Sequence, residues 1–377
     1  GCECGDDGCG GSCGTCPNGE SCNYNQVCVE CDEDSDCPSG TPLCNPPTGE
    51  CVECTSNAWC ATGYCVDYEC VECIQDSDCA SGICDANGDC VPAGYGVVTW
   101  GYIGGTQTSA VSSQLTDVVE IFTTDSGFAA LKTDGTVVTW GAAGGNGPNS
   151  LSDVETIFSS STSFAALKSD GSIAFWGGNG HNFSDVYNQL TSGVTFVASN
   201  PYSMAALKSD GSVVTWCTWN QYCSGYGADS SSVSSQLSSG VVSITSNLYS
   251  YAALKDDGSV VTWGDSQEGG DSSAVSSDLM SDVTTIYSSA RAFAALKDDG
   301  SVITWGNSNS GGDSSTVSSD LSSGVVEIFS SDNQYNFAAL KSDGTVVSWP
   351  HFSSQTTGIT NAVEIFYNGN AFAVLKS

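Results

Sequence analysis

The sequence predicts an all-β fold: a seven-bladed β-propeller closed by pairing of its N- and C-terminal strands, with a disulfide-rich N-terminal arm of little regular structure. Three observations carry this prediction. One unit recurs throughout residues 95–377, that stretch begins and ends on complementary halves of the unit, and 19 of the 21 cysteines lie between Cys2 and Cys90. Charge is just as uneven, since residues 1–92 hold 18 Asp and Glu and neither Lys nor Arg, out of a net −35 for the 377-residue chain.

The arm, residues 1–92, is read first. After an irregular stretch, 1–30, its cysteines fall into units 31–53, 54–72 and 73–92. Each unit runs C-x5-C followed by two gaps of four to six residues, and Val-Glu recurs at 29–30, 52–53 and 71–72. Units of about 20 residues cannot bury a useful core, so disulfides are expected to supply their stability. Four cysteines allow three pairings, and all stay open here. Zinc is the rival for the C-x2-C pairs, but no His lies in the arm, and cysteine at this density signals an oxidising, extracellular setting. Nineteen cysteines cannot all pair within the arm, so one is expected to pair elsewhere or stay a free thiol. Asp32, Asp34, Asp36, Asp85 and Asp89 are candidate Ca2+ ligands, Ca2+ being the one ion the sequence suggests. None fits the twelve-residue Ca2+ loop, and a solvated acidic surface is the favoured reading; no cofactor is required.

In the second region, Phe128-Ala129-Ala130-Leu131-Lys132-Thr133-Asp134-Gly135-Thr136-Val137-Val138-Thr139-Trp140-Gly141 is the type unit, returning at 164–177, 204–217, 251–264, 293–306 and 337–350. Asp-Gly between two apolar, β-branched runs predicts a hairpin, because Gly supplies the positive φ that the turn needs. A third strand precedes each hairpin, as in Val118–Phe122 and Val325–Phe329. Gly96–Gly101 is a second half without a first, and Phe372–Lys376 a first half without a second. Joined, they give seven units of about 40 residues, the size of a propeller blade. Closing the ring would remove the exposed strand edges of an open array.

The unit resembles the regulator-of-chromosome-condensation repeat, seen here as Ala-Leu-Lys-x-Asp-Gly-x-Val-x-x-Trp-Gly, and is most similar to short-repeat propellers of the secreted β-lactamase-inhibitor type. The arm loosely resembles tandem epidermal-growth-factor-like repeats in its cysteine spacing. Propellers of the first family include exchange factors, inhibitors and structural pieces, so the resemblance implies a fold and not one activity.

Candidate sites are few. Lys132, Lys168, Lys208, Lys255, Lys297, Lys341 and Lys376 share one repeat position and predict a ring of lysines. A cationic collar for an acidic partner competes with local pairing to the turn Asp, and local pairing is favoured. The repeat tryptophans read as packing residues. Cys217 and Cys223 are expected to form a disulfide that stiffens a loop bearing Trp219 and Tyr222, the candidate contact residues. Asn182 heads an N-glycosylation sequon, Asn182-Phe183-Ser184. His181 and His351 have no converging nucleophile or acid–base pair in the sequence, so an enzyme is not expected.

The acidity excludes nucleic-acid binding, and no apolar run is long enough for membrane insertion. A chain that starts at Gly1 without a signal-peptide pattern is expected to be a mature form or a fragment. The expected function is an extracellular structural or assembly protein, in which a propeller subunit and its stapled arm make protein–protein contacts in a fibre, filament or cell-surface layer. Its partners would be copies of itself or other extracellular structural proteins. The alternative is a secreted binding module, a lectin or a protein inhibitor, using one propeller face, with glycans among its expected partners.

Overall fold

Short cysteine-bearing runs form the only elements described in the first of two compact units, Gly1–Tyr95. These are β1 (Ser21–Cys22) with β2 (Cys28–Val29), β3 (Leu43–Asn45) with β4 (Glu50–Val52), and β5 (Tyr64–Val66) with β6 (Glu69–Val71), each pair antiparallel. Their registers set Cys22 opposite Cys28, Cys44 opposite Cys51, and Cys65 opposite Cys70. Beyond these strands, the computed structural model describes residues 94–99, 111–142, 147–148, 151–178, 184–219, 225–330, 336–350, 356, 358–367 and 371–377. Asp32, Asp34, Asp36, Asp85 and Asp89 lie outside the described residues.

The second unit, Gly96–Ser377, is the all-β propeller expected from the repeat. Six sheets hold three antiparallel strands each. They are β7–β9 (Val118–Thr123, Gly127–Lys132, Val137–Gly141), β10–β12 (Val154–Ser159, Ser163–Lys168, Ile173–Gly177) and β13–β15 (Val194–Ser199, Ser203–Lys208, Val213–Cys217). They continue with β16–β18 (Val241–Ser246, Ser250–Lys255, Val260–Gly264), β19–β21 (Val283–Ser288, Ala292–Lys297, Val302–Gly306) and β22–β24 (Val325–Ser330, Phe337–Lys341, Val346–Trp349). A seventh sheet holds β25 (Ala362–Tyr367) and β26 (Phe372–Lys376).

The core forms between blades. Successive side chains of a strand point to opposite faces, so Ala129 and Leu131 face the following blade, where they pack with Leu151, Val154, Ile157, Phe164, Ala166 and Trp176. The repeat tryptophans are packing residues: Trp140, Trp176, Trp216, Trp263, Trp305 and Trp349 are all buried. In five blades the Trp stacks on the aromatic residue opening the middle strand, as in Phe128–Trp140, with centroids 5.1 Å apart.

Neighbouring blades are also stitched at the hairpin turn. Val283 N–H donates to the Gly258 carbonyl at 3.1 Å, and the same bond recurs from Val154, Val194, Val241, Val325 and Ala362. Gly258 has φ +75°, and a Cβ there would sit 2.6 Å from the Asp282 nitrogen, so both conformation and space demand glycine.

The N-terminal half-unit sits against the first blade. Val97 N–H donates to the Leu115 carbonyl, as Ile173, Val260 and Val302 donate to Leu190, Leu279 and Leu321. Val97 thus takes the place of a third-strand residue against β7–β9 and packs on the cluster of Leu115, Val118, Ala130, Val138 and Trp140. Among the described residues β26 has no strand partner besides β25, and Trp100 and Gly101 lie outside them.

Candidate functional site

The site is built from two repeat positions in adjacent blades. The first is the residue just before each middle strand. It is Ser126 and Thr162 in the first two blades, then Tyr202, Tyr249 and Arg291 in the next three. The second lies in the connection leading to the next blade, just before a glycine of positive φ, and is occupied by Tyr226, Glu268 and Ser310. The following glycines, Gly227, Gly269 and Gly311, accept hydrogen bonds of 3.0 Å from the indoles of Trp263, Trp305 and Trp349.

Blade geometry turns these separated residues into neighbours. Tyr202 lies 4.7 Å from Tyr226 and 5.8 Å from Tyr249 between ring centroids, the latter pair only 17° from parallel. Tyr226 and Tyr249 are 5.3 Å apart. Trp219 joins the group at 6.0 Å from Tyr202. At the far end the Arg291 guanidinium stands 5.2 Å from the Tyr249 centroid, a cation–π contact, and its Nη1 meets Glu268 Oε1 at 3.3 Å. All four aromatic residues are partly exposed.

Two asparagines hold the loops that bear the tyrosines. Asn200 Oδ1 accepts from the Tyr202 and Ser203 N–H groups, both at 2.9 Å, while its Nδ2 donates to the Tyr226 carbonyl. Asn247 does the same one blade on, accepting from Tyr249 and Ser250 and donating to the Glu268 carbonyl at 2.6 Å. The buried Tyr251 hydroxyl reaches across from the next blade to donate to the Ser203 carbonyl at 2.8 Å. Both rows therefore rest on one hydrogen-bonded frame. Burial raises the Glu268 carboxyl above the ordinary Glu value, and the Arg291 charge opposes that rise.

Of the residues singled out from sequence, Trp219 belongs to this cluster, while Tyr222 and Cys223 lie outside the described residues. Cys217 is buried and disulfide-bonded. Asn182, His181 and His351 also lie outside the described residues. Tyr202, Tyr226, Tyr249, Glu268 and Arg291 were not legible as a site. The available signal was the switch from Ser and Thr to Tyr and Arg at one loop position, visible only when that loop is aligned across repeats.

The lysines close the opposite ends of the middle strands. Lys208, Lys255, Lys297 and Lys341 donate to the carbonyls of Gln189, Gln236, Asp278 and Asp320, 19 to 21 residues earlier. Lys168 and Lys297 also approach Asp153 and Asp282 at 3.8 and 3.9 Å. Lys132 and Lys376 hold the same strand-end position in the first and last blades. Among the described residues no group of three or more His, Cys, Asp or Glu could hold a metal.

No protein-family model matches the chain, and no characterised relative matches it in sequence. Several solved structures are similar to it in fold. The receptor kinase CR4 ectodomain of Physcomitrella patens is 15% identical, with TM-score 0.38, over 64% of this chain and 65% of that one. The CRINKLY WD40 ectodomain of the Arabidopsis thaliana receptor kinase ACR4 is 16% identical, with TM-score 0.36, over 61% and 82%. Prp20p of Saccharomyces cerevisiae is 16% identical, with TM-score 0.36, over 62% and 71%. This chain thus spans just under two thirds of the first of them. At these identities the likeness concerns fold alone, and the recurring three-stranded sheets are those of a β-propeller.

Proposed function

We propose that this protein is an extracellular, non-catalytic interaction protein that holds its partner on the aromatic loop face of the propeller. One observation carries the reading. At the position before the middle strand the fold accepts Ser126 and Thr162, so packing does not require the bulky Tyr202, Tyr249 and Arg291. Partly exposed Tyr, Trp and Arg gathered on a rigid frame are the residue types that dominate binding surfaces. The acidic cysteine-rich arm, read as epidermal-growth-factor-like repeats, would serve as a disulfide-stapled stem. The test is retention of extracellular matrix components by immobilised full-length protein. Material held by the wild type should be lost with Tyr202→Ala/Tyr249→Ala, and equal retention by both would overturn the reading.

A second reading, assembly of propellers into a fibre or surface layer, is favoured by a different observation. Ile121 and Leu375 are 42% and 52% exposed, whereas their repeat counterparts Ile157 and Leu131 are 2% and 5% exposed. These side chains are the two halves of one more inter-blade interface, which can close the ring or join one copy to the next. Concentration-dependent association in sedimentation, abolished by Leu375→Asp, would support joining. A monomer at every concentration would leave only ring closure.

A further inference from the structure

We propose that the aromatic face takes a neutral oligosaccharide, stacked on the rings of Tyr202, Tyr226 and Tyr249 and hydrogen-bonded at one end by Arg291 and Glu268. The inference deepens the interaction reading above and rests on it. Three features select this ligand class.

The first is the shape and chemistry of the aromatic cluster. The three tyrosine centroids lie 4.7, 5.3 and 5.8 Å apart, a compact triangle across two blades whose rings stay partly exposed. The negative π-face of an aromatic ring complements the C–H face of a sugar ring.

The second is the polar end. Arg291 and Glu268 meet through a single Nη1–Oε1 contact of 3.3 Å, and Arg291 Nε has no hydrogen-bond partner among the described residues. The Glu268 side chain is only 12% exposed, so its carboxylate has little water to serve it. A sugar hydroxyl donates to a carboxylate and accepts from a guanidinium at once. A proline-rich segment, the other ligand that favours clustered tyrosines, brings carbonyl acceptors and no N–H at proline, and would bring no donor to Glu268 Oε2, which has no hydrogen-bond partner among the described residues.

The third is charge. Arg291 is the one arginine of a chain with net charge −35, and Glu268 already offsets it, so the patch has no surplus positive charge to hold a polyanion. The asparagine frame fixes the loops beforehand, which lowers the ordering cost of binding a flexible chain.

The experiment is calorimetric titration of the full chain with neutral hexasaccharides of different linkage, a polyuronate and hexaproline. At least one neutral hexasaccharide should bind, and Tyr249→Ala should weaken it by about tenfold or more. Tyr249→Phe keeps the ring and should retain binding, and it guards against simple misfolding of the alanine variant. No neutral sugar binding at millimolar concentration, unchanged binding in Tyr249→Ala, or preferential binding of the polyuronate or hexaproline would each overturn the proposal. Matrix retention that depends on Tyr202 and Tyr249 would survive those results, so the two readings fail separately.

Discussion

Replacing Tyr251 by Phe tests the frame beneath the aromatic face. Tyr251 is fully buried, and its ring stacks on Trp263 at 12°. The equivalent residue is Phe in four other blades, Phe128, Phe164, Phe293 and Phe337, so the ring without its hydroxyl is compatible with the fold. What the substitution removes is the bond to the Ser203 carbonyl and the 3.0 Å contact with Ser203 Oγ. That carbonyl keeps the Asn200 N–H, so no orphaned acceptor adds to the loss. The expected destabilisation is that of one hydrogen bond, about 1 kcal/mol. For a propeller of this size, that lowers Tm by roughly 2–4 °C. Scanning calorimetry would measure it, with hydrogen exchange at the Tyr202 and Ser203 amides as a local readout. Alkaline titration adds a sign. Burial raises the Tyr251 phenol, so its contribution is complete below the unfolded value of about 10 and is lost as pH rises through the raised folded value. Tyr251→Phe should lack that loss. A Tm equal to or above wild type, with unchanged exchange at Tyr202, would refute the idea that the hydroxyl supports the site.

Other substitutions probe the remaining levels. Gly258→Ala puts a side chain at φ +75° and 2.6 Å from the Asp282 nitrogen, and should cost about 2–3 kcal/mol in urea unfolding from backbone strain and the weakened blade stitch. Leu296→Ala removes a residue 7% exposed within the cluster of Val317, Leu321 and Trp349, and should cost about 2–5 kcal/mol by thermal denaturation. Asp257 and its copies at 170, 210, 299 and 343 accept bonds from the second residue after them, which holds their carboxyls below the ordinary Asp value of 3.8. Their contribution is present above that value and lost as pH falls through the lowered folded values, so Asp257→Asn should reduce the acid dependence of Tm. Asn247→Ala removes the acceptor for the Tyr249 and Ser250 N–H groups and the bond to the Glu268 carbonyl; partner binding should weaken more than Tm falls.

The fold was legible because its determinants are local and repeated. Asp-Gly fixes each hairpin, alternation fixes which residues of Phe-Ala-Ala-Leu face which blade, and tryptophan recurs where two blades meet. The lysine position was legible but its partners were not. Lys208 reaches the Gln189 carbonyl, and a backbone acceptor leaves no mark in a sequence. The site was harder to read for a related reason. Tyr202 and Tyr249 are far apart along the chain and look like ordinary loop residues; only the lateral packing of blades brings their rings to 5.8 Å. Trp219 was visible because the neighbouring cysteine singled out its loop, and it proved to be the edge of a larger cluster.

The repeats also supply an internal control that a single-copy fold lacks. At the position opening the middle strand, Phe128, Phe164, Met204, Tyr251, Phe293 and Phe337 are all large, as packing against the following strand demands. Two residues earlier, five blades show two small polar residues, two tyrosines and an arginine. Deeper in the same loop, the residue that caps the turn is Thr124, Ser160 and Ser289 in three blades, and Asn200 and Asn247 in the two that carry tyrosine. Each asparagine accepts from two loop N–H groups and donates from Nδ2 to the neighbouring connection, where the Ser289 hydroxyl likewise donates to the Ser310 carbonyl at 2.6 Å. The tyrosines and the asparagines occur together, in the blades where the second row carries Tyr226 and Glu268. Packing alone explains neither substitution, since the other blades fold without them. A preorganised surface in the third to fifth blades explains both.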